Sequence, residues 1–334
     1  MKDKKKPSLG RVLLRILAGV LGAMVLFLLV MWGIPLTETA DRTKVPDSAD
    51  WMAKLPDKTP LNAIVIPGTH DSGTQFVQLA FFSKCQALSI GEQLEAGFRY
   101  LDIRLSVDGE GMRLKHGFTD CKTGPMPWSA ALSLEEVLRQ CYSFLAEHPG
   151  ETVIFAVKQE HGDESVADFE RCLDGIIGQE PEFWLFTDSI PSLGEARGKL
   201  VLLRRYEDEA GLGERSGIPL LWPNQNGFED PSLNTAMTDQ ETYRLWVQDR
   251  YEYDADEKWT AFRAGLREEQ IEPEDLAIQF LSTKGHAAYG HPFTFAGKLN
   301  PELMGYELLP GCGWIIVDFA SATLAEHIYA ANFA

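Results

Sequence analysis

The chain has 334 residues, enough for one large barrel or two smaller domains, and 45% hydrophobic content with 18 Phe and 8 Trp supports a sizeable core. Its formal charge is −18, yet residues 1–44 carry eight Lys/Arg against three acids, which leaves the remainder at −23. So acidic a body argues against nucleic-acid partners, which need basic surface, and against simple electrostatic adsorption to anionic lipid.

The N-terminus stands apart from that body. Ile16 to Leu36 form a run of 21 residues without a charge. At 1.5 Å per residue such a run crosses about 30 Å of hydrocarbon. The lysines and arginines before it predict a cytoplasmic start and an exported remainder. A cleaved signal peptide is the alternative, but its apolar core would be shorter, about 7–15 residues, and Thr37-Glu38-Thr39-Ala40 is a poor small-residue exit. Residues 1–36 are thus expected to be a basic tail and transmembrane anchor, 37–60 a short linker, and 61–334 one barrel domain.

The body reads as strands alternating with helices. Strand-like runs fall at 61–67, 99–105, 112–116, 152–158, 199–204, 245–251, 277–283 and 313–319. Ser133 is a helix N-cap followed by Glu135 and Glu136 in the first turn, and that helix runs to Ala146 before Pro149-Gly150 ends it. Further helices are predicted over 164–178, 255–269 and 322–331. Eight such strands with intervening helices predict a parallel sheet closed as a TIM-type β/α barrel. One connection departs from the regular form. Residues 106–111 are too few for a crossover helix, so the second and third strands should form a hairpin and the barrel should be irregular.

Chemistry-bearing residues gather where these strands end. The apolar run Ala63 to Ile66 stops at Pro67-Gly68 and hands over to His70-Asp71. Asp102 and Arg104 share one strand face by the two-residue period, and His116 closes the following strand. Two histidines and an arginine so placed suit phosphoryl transfer. One imidazole takes a proton from the attacking oxygen, the other gives one to the leaving oxygen, and the cation offsets charge on the phosphorus oxygens. The base must be neutral and the acid protonated at one pH, so each imidazole benefits from its own carboxylate partner. Lys158, Arg204, Asp249 and Asp318 also fall at predicted strand C-termini, where such barrels place their chemistry.

His70-Asp71, Asp102-Ile103-Arg104 and His116-Gly117, in this order and spacing, resemble the X domain of phosphatidylinositol-specific phospholipase C, and in particular its bacterial, metal-independent branch. The likeness continues through Glu151 to Lys158, Arg197 to Arg204, Trp222-Pro223, Val247 to Tyr251 and Ile315 to Phe319. It implies a distorted TIM-type barrel and a lyase acting on phosphatidylinositol. In that reaction the inositol 2-hydroxyl attacks the phosphodiester, releasing diacylglycerol and a cyclic inositol phosphate. By the same resemblance His70 would be the general base, His116 the general acid and Arg104 the stabiliser of the phosphorane. Asp71 would orient His116, and Asp318 would orient His70. Asp102, Lys158, Arg204, Trp222, Asp249 and Tyr251 would contact the headgroup. The implied partners are an inositol-lipid headgroup and a membrane surface, met by a monomer that uses no cofactor.

Arg104 bears on the metal question. Calcium-dependent relatives carry a carboxylate at its position and an asparagine at that of Asp71. A guanidinium supplies positive charge itself and repels a metal ion, although Asp102 and Glu160 are carboxylates of the kind calcium takes. Metal-free chemistry is therefore expected. A glycerophosphodiesterase or a sphingomyelinase D-like enzyme would need a metal and a glutamate-aspartate pair where this chain has Asp102 and Arg104. A catalytically silent lipid- or glycan-binding relative would have no reason to keep His70, Arg104 and His116 together. Phe76 to Phe82 either enter lipid or cover the barrel. The five cysteines show no metal-site spacing and read as buried thiols, and His148, His161, His286, His291 and His327 read as structural or surface groups.

Overall fold

The structure is a computed structural model and describes residues 8–109, 111–225, 236–266, 271–287 and 290–334. Its strands, in chain order, are β1 (Pro67–Thr69), β2 (Tyr100–Asp108), β3 (Gly111–His116), β4 (Thr119–Asp120), β5 (Val153–Gln159), β6 (Trp184–Leu185), β7 (Leu200–Arg204), β8 (Ile218–Pro219), β9 (Ala236–Asp239), β10 (Arg244–Gln248), β11 (Leu276–Phe280) and β12 (Trp314–Val317). The helices are α1 (Leu9–Leu28), α2 (Ala80–Ser83), α3 (Ile90–Glu95), α4 (Leu134–Glu147), α5 (Val166–Ile177), α6 (Leu193–Ala196), α7 (Ala255–Gly265), α8 (Pro292–Met304) and α9 (Ala322–Tyr329).

The strands form one sheet in the order β6-β7-β5-β2-β1-β12-β11-β10-β9, parallel from β6 to β10. It is a TIM-type barrel that does not close. Among the described residues no ladder joins β8, which hangs on β7, to β9, which lies antiparallel to β10. Side chains bridge the seam instead. The Gln240 amide accepts from Leu221 N at 3.1 Å and donates to Leu221 O at 2.8 Å, and the Tyr243 hydroxyl donates to Pro219 O. The expected hairpin is present, with Leu105 opposite Leu114 and Asp108 opposite Gly111 in antiparallel register.

Alternation along the strands sorts residues into two layers. On β2, β5 and β7, Tyr100, Ile154, Ala156, Val201 and Leu203 pack in one buried cluster, with the first and last barrel strands. Their neighbours Leu101, Ile103, Phe155, Val157, Leu200 and Leu202 pack in another, under α4 and α5. Those helices start where hydroxyl caps satisfy free N–H groups, as Ser133 accepts from Glu136 N and Ser165 from Asp168 N. Leu134, Val137, Leu138, Cys141, Phe144 and Leu145 give α4 the i, i+3, i+4 stripe that it buries.

Three expectations need correction. The run 61–67 is buried, but Leu61–Ala63 form a 3₁₀ turn and only Pro67–Thr69 joins the ladder. The reason is the Asn332 amide, which bonds both Val65 N and Val65 O at 2.8 Å and replaces strand pairing there. The segment 37–60 is not a free linker: Trp51 and Met52 are fully buried, and Trp51 stacks on Tyr329 at 5.0 Å. Glu151, buried against Arg99 at 2.8 Å, also accepts from Met52 N and Ala53 N, which fixes the segment to the barrel base. The helix expected over 255–269 ends at Gly265, and 267–270 lie outside the described residues. All five cysteines are free thiols, with Cys85, Cys121 and Cys141 buried.

Candidate active site

The C-terminal ends of β1, β2, β3, β5 and β12 carry a compact ionic cluster. His70 and Asp71 leave β1 in a tight loop, with Asp71 in the left-handed region at φ 43°. Aspartate tolerates that conformation better than bulky residues do. The loop is tied down from below. Ser72 N donates to Asp102 O at 3.0 Å, Asp102 N donates to Ser72 Oγ at 2.8 Å, and Asp71 N donates to Asp102 Oδ2 at 3.2 Å. Gln86, which the sequence reading missed, donates to both His70 O and Val317 O at 2.9 Å and so clamps the β1 and β12 loops together.

Each catalytic-type histidine has a carboxylate at Nδ1. His70 Nδ1 lies 2.8 Å from Asp318 Oδ1, and His116 Nδ1 lies 3.0 Å from Asp71 Oδ2. The two rings stand 6.4 Å apart and nearly perpendicular, at 77°. Arg104 Nη2 lies 3.0 Å from His70 Nε2. A guanidinium can only donate, so His70 Nε2 is the acceptor and its proton sits on Nδ1, toward Asp318. Asp71 Oδ2 is also 3.3 Å from His70 Nε2, so this carboxylate faces both rings.

Arg104 is held from several sides. It contacts Asp102 Oδ2 at 3.0 Å, Asp71 Oδ1 at 3.1 Å and Glu160 Oε2 at 4.0 Å. Glu160 also accepts from Lys158 Nζ at 2.7 Å and from Gly117 N at 3.2 Å, which couples β5 to the loop after His116. Burial alone would push these groups toward neutrality, but the charges oppose it. Burial favours protonated Asp71, yet Arg104, His116 and His70 hold its carboxyl well below the usual carboxylate range. Burial likewise opposes the charges of Asp102 and Glu160, and Arg104 with Arg205 or Lys158 keeps both carboxyls low. For His70 burial lowers the pKa, but Asp318 and Asp71 outweigh it and raise it overall. Burial, with Asp318 and Asp71, pushes the Cys85 thiol up, so although its Sγ lies 3.8 Å from His116 Nδ1 it is a neutral neighbour.

The structure brings together His70, Asp71, Asp102, Arg104, His116 and Asp318, and Lys158 joins them through Glu160. Asp102 lies fully buried beneath Arg104 and Arg205, so it presents no face to a headgroup. Trp222 donates to Asp249 Oδ2 at 3.2 Å. Tyr251 stands at the rim, its hydroxyl 3.0 Å from Asn224 Oδ1. Arg204 is a correction: it is buried away from the cluster, donating to Gly217 O at 3.3 Å and Tyr206 O at 3.0 Å. The cation that this strand end supplies to the site is instead Arg205, 3.4 Å from Asp102, 3.8 Å from Asp249 and stacked on the Trp222 ring at 3.9 Å. Register explains the exchange. Arg204 pairs with Val157, an outward residue, so the next position points inward beside Lys158. The remaining histidines have other partners, such as Asp50 for His148, Glu257 for His286 and Tyr306 O for His327.

The nearest carboxylate and imidazole groups could be read as a metal site, since His70, Asp71 and Asp102 converge. The donor set does not suit one. Arg104 touches all three groups, and Asp102 is further engaged by Arg205, so a divalent ion would sit against guanidinium charge.

Residues 58–206 match the family model described as "Phosphatidylinositol-specific phospholipase C, X domain". A 1-phosphatidylinositol phosphodiesterase of Listeria monocytogenes is 30% identical, the alignment covering 84% of each chain. One from Staphylococcus aureus is 27% identical over 84% of this chain and 90% of its own. Among solved structures, a phosphatidylinositol-specific phospholipase C from Staphylococcus aureus superposes with a TM-score of 0.69 at 22% identity, covering 85% of this chain and 97% of that one. The Listeria monocytogenes structure gives a TM-score of 0.61 at 22% identity, over 85% and 98%. The chain belongs to the phosphatidylinositol-specific phospholipase C family.

Proposed function

We propose that this chain is a membrane-anchored lyase that cleaves phosphatidylinositol-type lipids without a metal ion. His70, neutral and with its lone pair on Nε2, takes the proton of the inositol 2-hydroxyl as that oxygen attacks phosphorus. His116, protonated beside Asp71, gives a proton to the glycerol oxygen as its bond to phosphorus breaks. The products are diacylglycerol and a cyclic inositol phosphate. Arg104 now caps His70 Nε2, the place the hydroxyl must reach, so its guanidinium shifts onto a phosphorus oxygen when substrate binds. Asp318 and Asp71 orient the base and the acid, and Asp102 positions Arg104 and Arg205 from below. Lys158, Arg205, Asp249, Trp222 and Tyr251 contact the inositol.

The observation that carries this reading is the pair of imidazoles flanking Arg104, each with its own carboxylate at Nδ1. The basic start before α1 and the length of its apolar run support an uncleaved anchor, with the catalytic domain on the outer face of the cell membrane. Phosphorus NMR of the products from phosphatidylinositol, with wild type beside His70→Ala, tests the proposal. A cyclic phosphate signal that depends on His70 is expected; acyclic products from the outset would point to another phosphodiesterase.

A further inference from the structure

The anchor helix does not lead away from the domain. After α1 the chain continues through a π-helical turn, Leu29–Gly33, and a 3₁₀ turn, Pro35–Thr37, and this exit is pinned to the catalytic face. Trp32 Nε1 donates to Pro125 O at 2.5 Å. Lys84 Nζ, a buried amine, donates to Pro35 O and Glu38 O at 2.7 Å each. Glu38, also buried, lies 2.6 Å from His291 Nε2, and the His291 ring stacks on Phe81 at 4.1 Å. Phe76 to Phe82 are thus neither a free tip nor a long covering helix: their single turn, α2, packs on the anchor.

That joint fixes the depth of the site. Arg11 and Arg15 stand near the start of the apolar helix Leu9–Thr37, so the uncharged run from Ile16 fills the hydrocarbon and the turns from Phe27 onward belong to the outer leaflet. The rim beside those turns exposes Phe118, Met126 and Trp128 by 55%, 41% and 81%. Apolar exposure so concentrated suits a lipid boundary. Between helix and rim runs a cavity of about 460 Å³, lined by Phe27, Met31, Leu79 and Phe82 and reaching His116.

We propose that this groove holds an acyl chain of the inositol lipid being cleaved, drawn from the leaflet in which the anchor itself is embedded. The inference rests on the phospholipase reading above. The imidazole that protonates the diacylglycerol oxygen lines the groove; the rest of the wall is apolar except for Ser83 and Lys284, and the Lys284 ammonium is engaged by Glu252 at 2.8 Å. The occupant is therefore the hydrocarbon attached to that oxygen. Raising a phosphodiester to His116 without such cover would lift methylenes into water, at a roughly fourfold penalty for each. A groove walled by the anchor keeps the chain covered throughout.

The test uses the full chain in phosphatidylcholine vesicles. Phosphatidylinositol with a photoreactive acyl chain should label Met31, Leu79 or Phe82, and unlabelled phosphatidylinositol should compete. Labels confined to residues 9–24 would overturn the proposal. Met31→Trp, which fills the groove, should lower the ratio of turnover on long-chain phosphatidylinositol to turnover on glycerophosphoinositol about tenfold, the worth of roughly two methylenes. An unchanged ratio overturns the groove alone. Wild type that cleaves neither substrate overturns the phospholipase reading, and this inference with it. Lipid in the enzyme's own vesicles should be cleaved far faster than lipid in separate vesicles; equal rates would count against the same-leaflet geometry.

Discussion

Arg204 and Arg205 are adjacent, equally basic and opposite in role, which makes their alanine variants a sharp test of the site. Arg205→Ala removes a cation lying 3.4 Å from Asp102, 3.8 Å from Asp249 and 3.9 Å from the Trp222 ring centre. A hydrogen bond from a charged group is worth about 1.5–3 kcal/mol, so losing one such contact to the inositol should lower kcat/KM about 10- to 150-fold. Arg204→Ala acts elsewhere. It deletes donors to the carbonyls of Gly217 and Tyr206, at 3.3 and 3.0 Å, in a buried setting. Two buried carbonyls left without donors should cost about 2–6 kcal/mol of stability. The folded Arg204→Ala enzyme should keep its kcat/KM. Turnover of phosphatidylinositol in mixed micelles and melting temperature, measured on the same preparations, separate the two effects. The reasoning is refuted if Arg204→Ala melts normally but loses turnover, or if Arg205→Ala turns over at the wild-type rate.

His70→Ala and His116→Ala should each lower kcat about 10²- to 10⁴-fold, but a nitrophenyl leaving group, which needs no proton, should restore only His116→Ala. Equal rescue of both would reverse or erase the acid and base assignments. Asp318→Ala should shift the acidic limb of the kcat/KM profile to lower pH. Burial lowers the His70 pKa while Asp318 and Asp71 raise it overall, so removing Asp318 lowers it, and the base stays neutral at more acidic pH. A limb that moves upward would contradict this. A chelator should leave turnover unchanged, because Asp102 and Glu160 are already neutralised by Arg104, Arg205 and Lys158; loss restored by calcium would show otherwise. Glu151→Gln leaves Arg99 buried and unpaired at the barrel base, and should cost about 3–5 kcal/mol in denaturation with no change in kcat.

The sequence carried the parts of this protein that depend on local pattern. Period-two alternation and turn residues marked most of the parallel strands and the β2–β3 hairpin, since a strand's faces and a tight turn are decided by neighbouring residues. It placed His70 and His116 at strand ends for the same reason, whereas Arg104, expected at an end, lies in the middle of β2 because that strand runs on into the hairpin to Asp108. The same alternation contained the signal that Arg204 overrides: in LVLLRR the outward positions are Leu200, Leu202 and Arg204, so Arg205 is the inward cation. What could not be read was anything set by distant segments meeting. His70 and Asp318 are 248 residues apart and become a 2.8 Å pair only because β1 lies beside β12. Val65 avoids the ladder because Asn332 reaches it from the 3₁₀ turn at 330–333, and among the described residues the open seam is bridged by the side chains of Gln240 and Tyr243. The N-terminal apolar helix was legible as a long uncharged run. Its seat against the mouth of the site was not, because that depends on the buried Lys84 and Glu38 and the half-buried His291, whose pairing exists only in the folded chain.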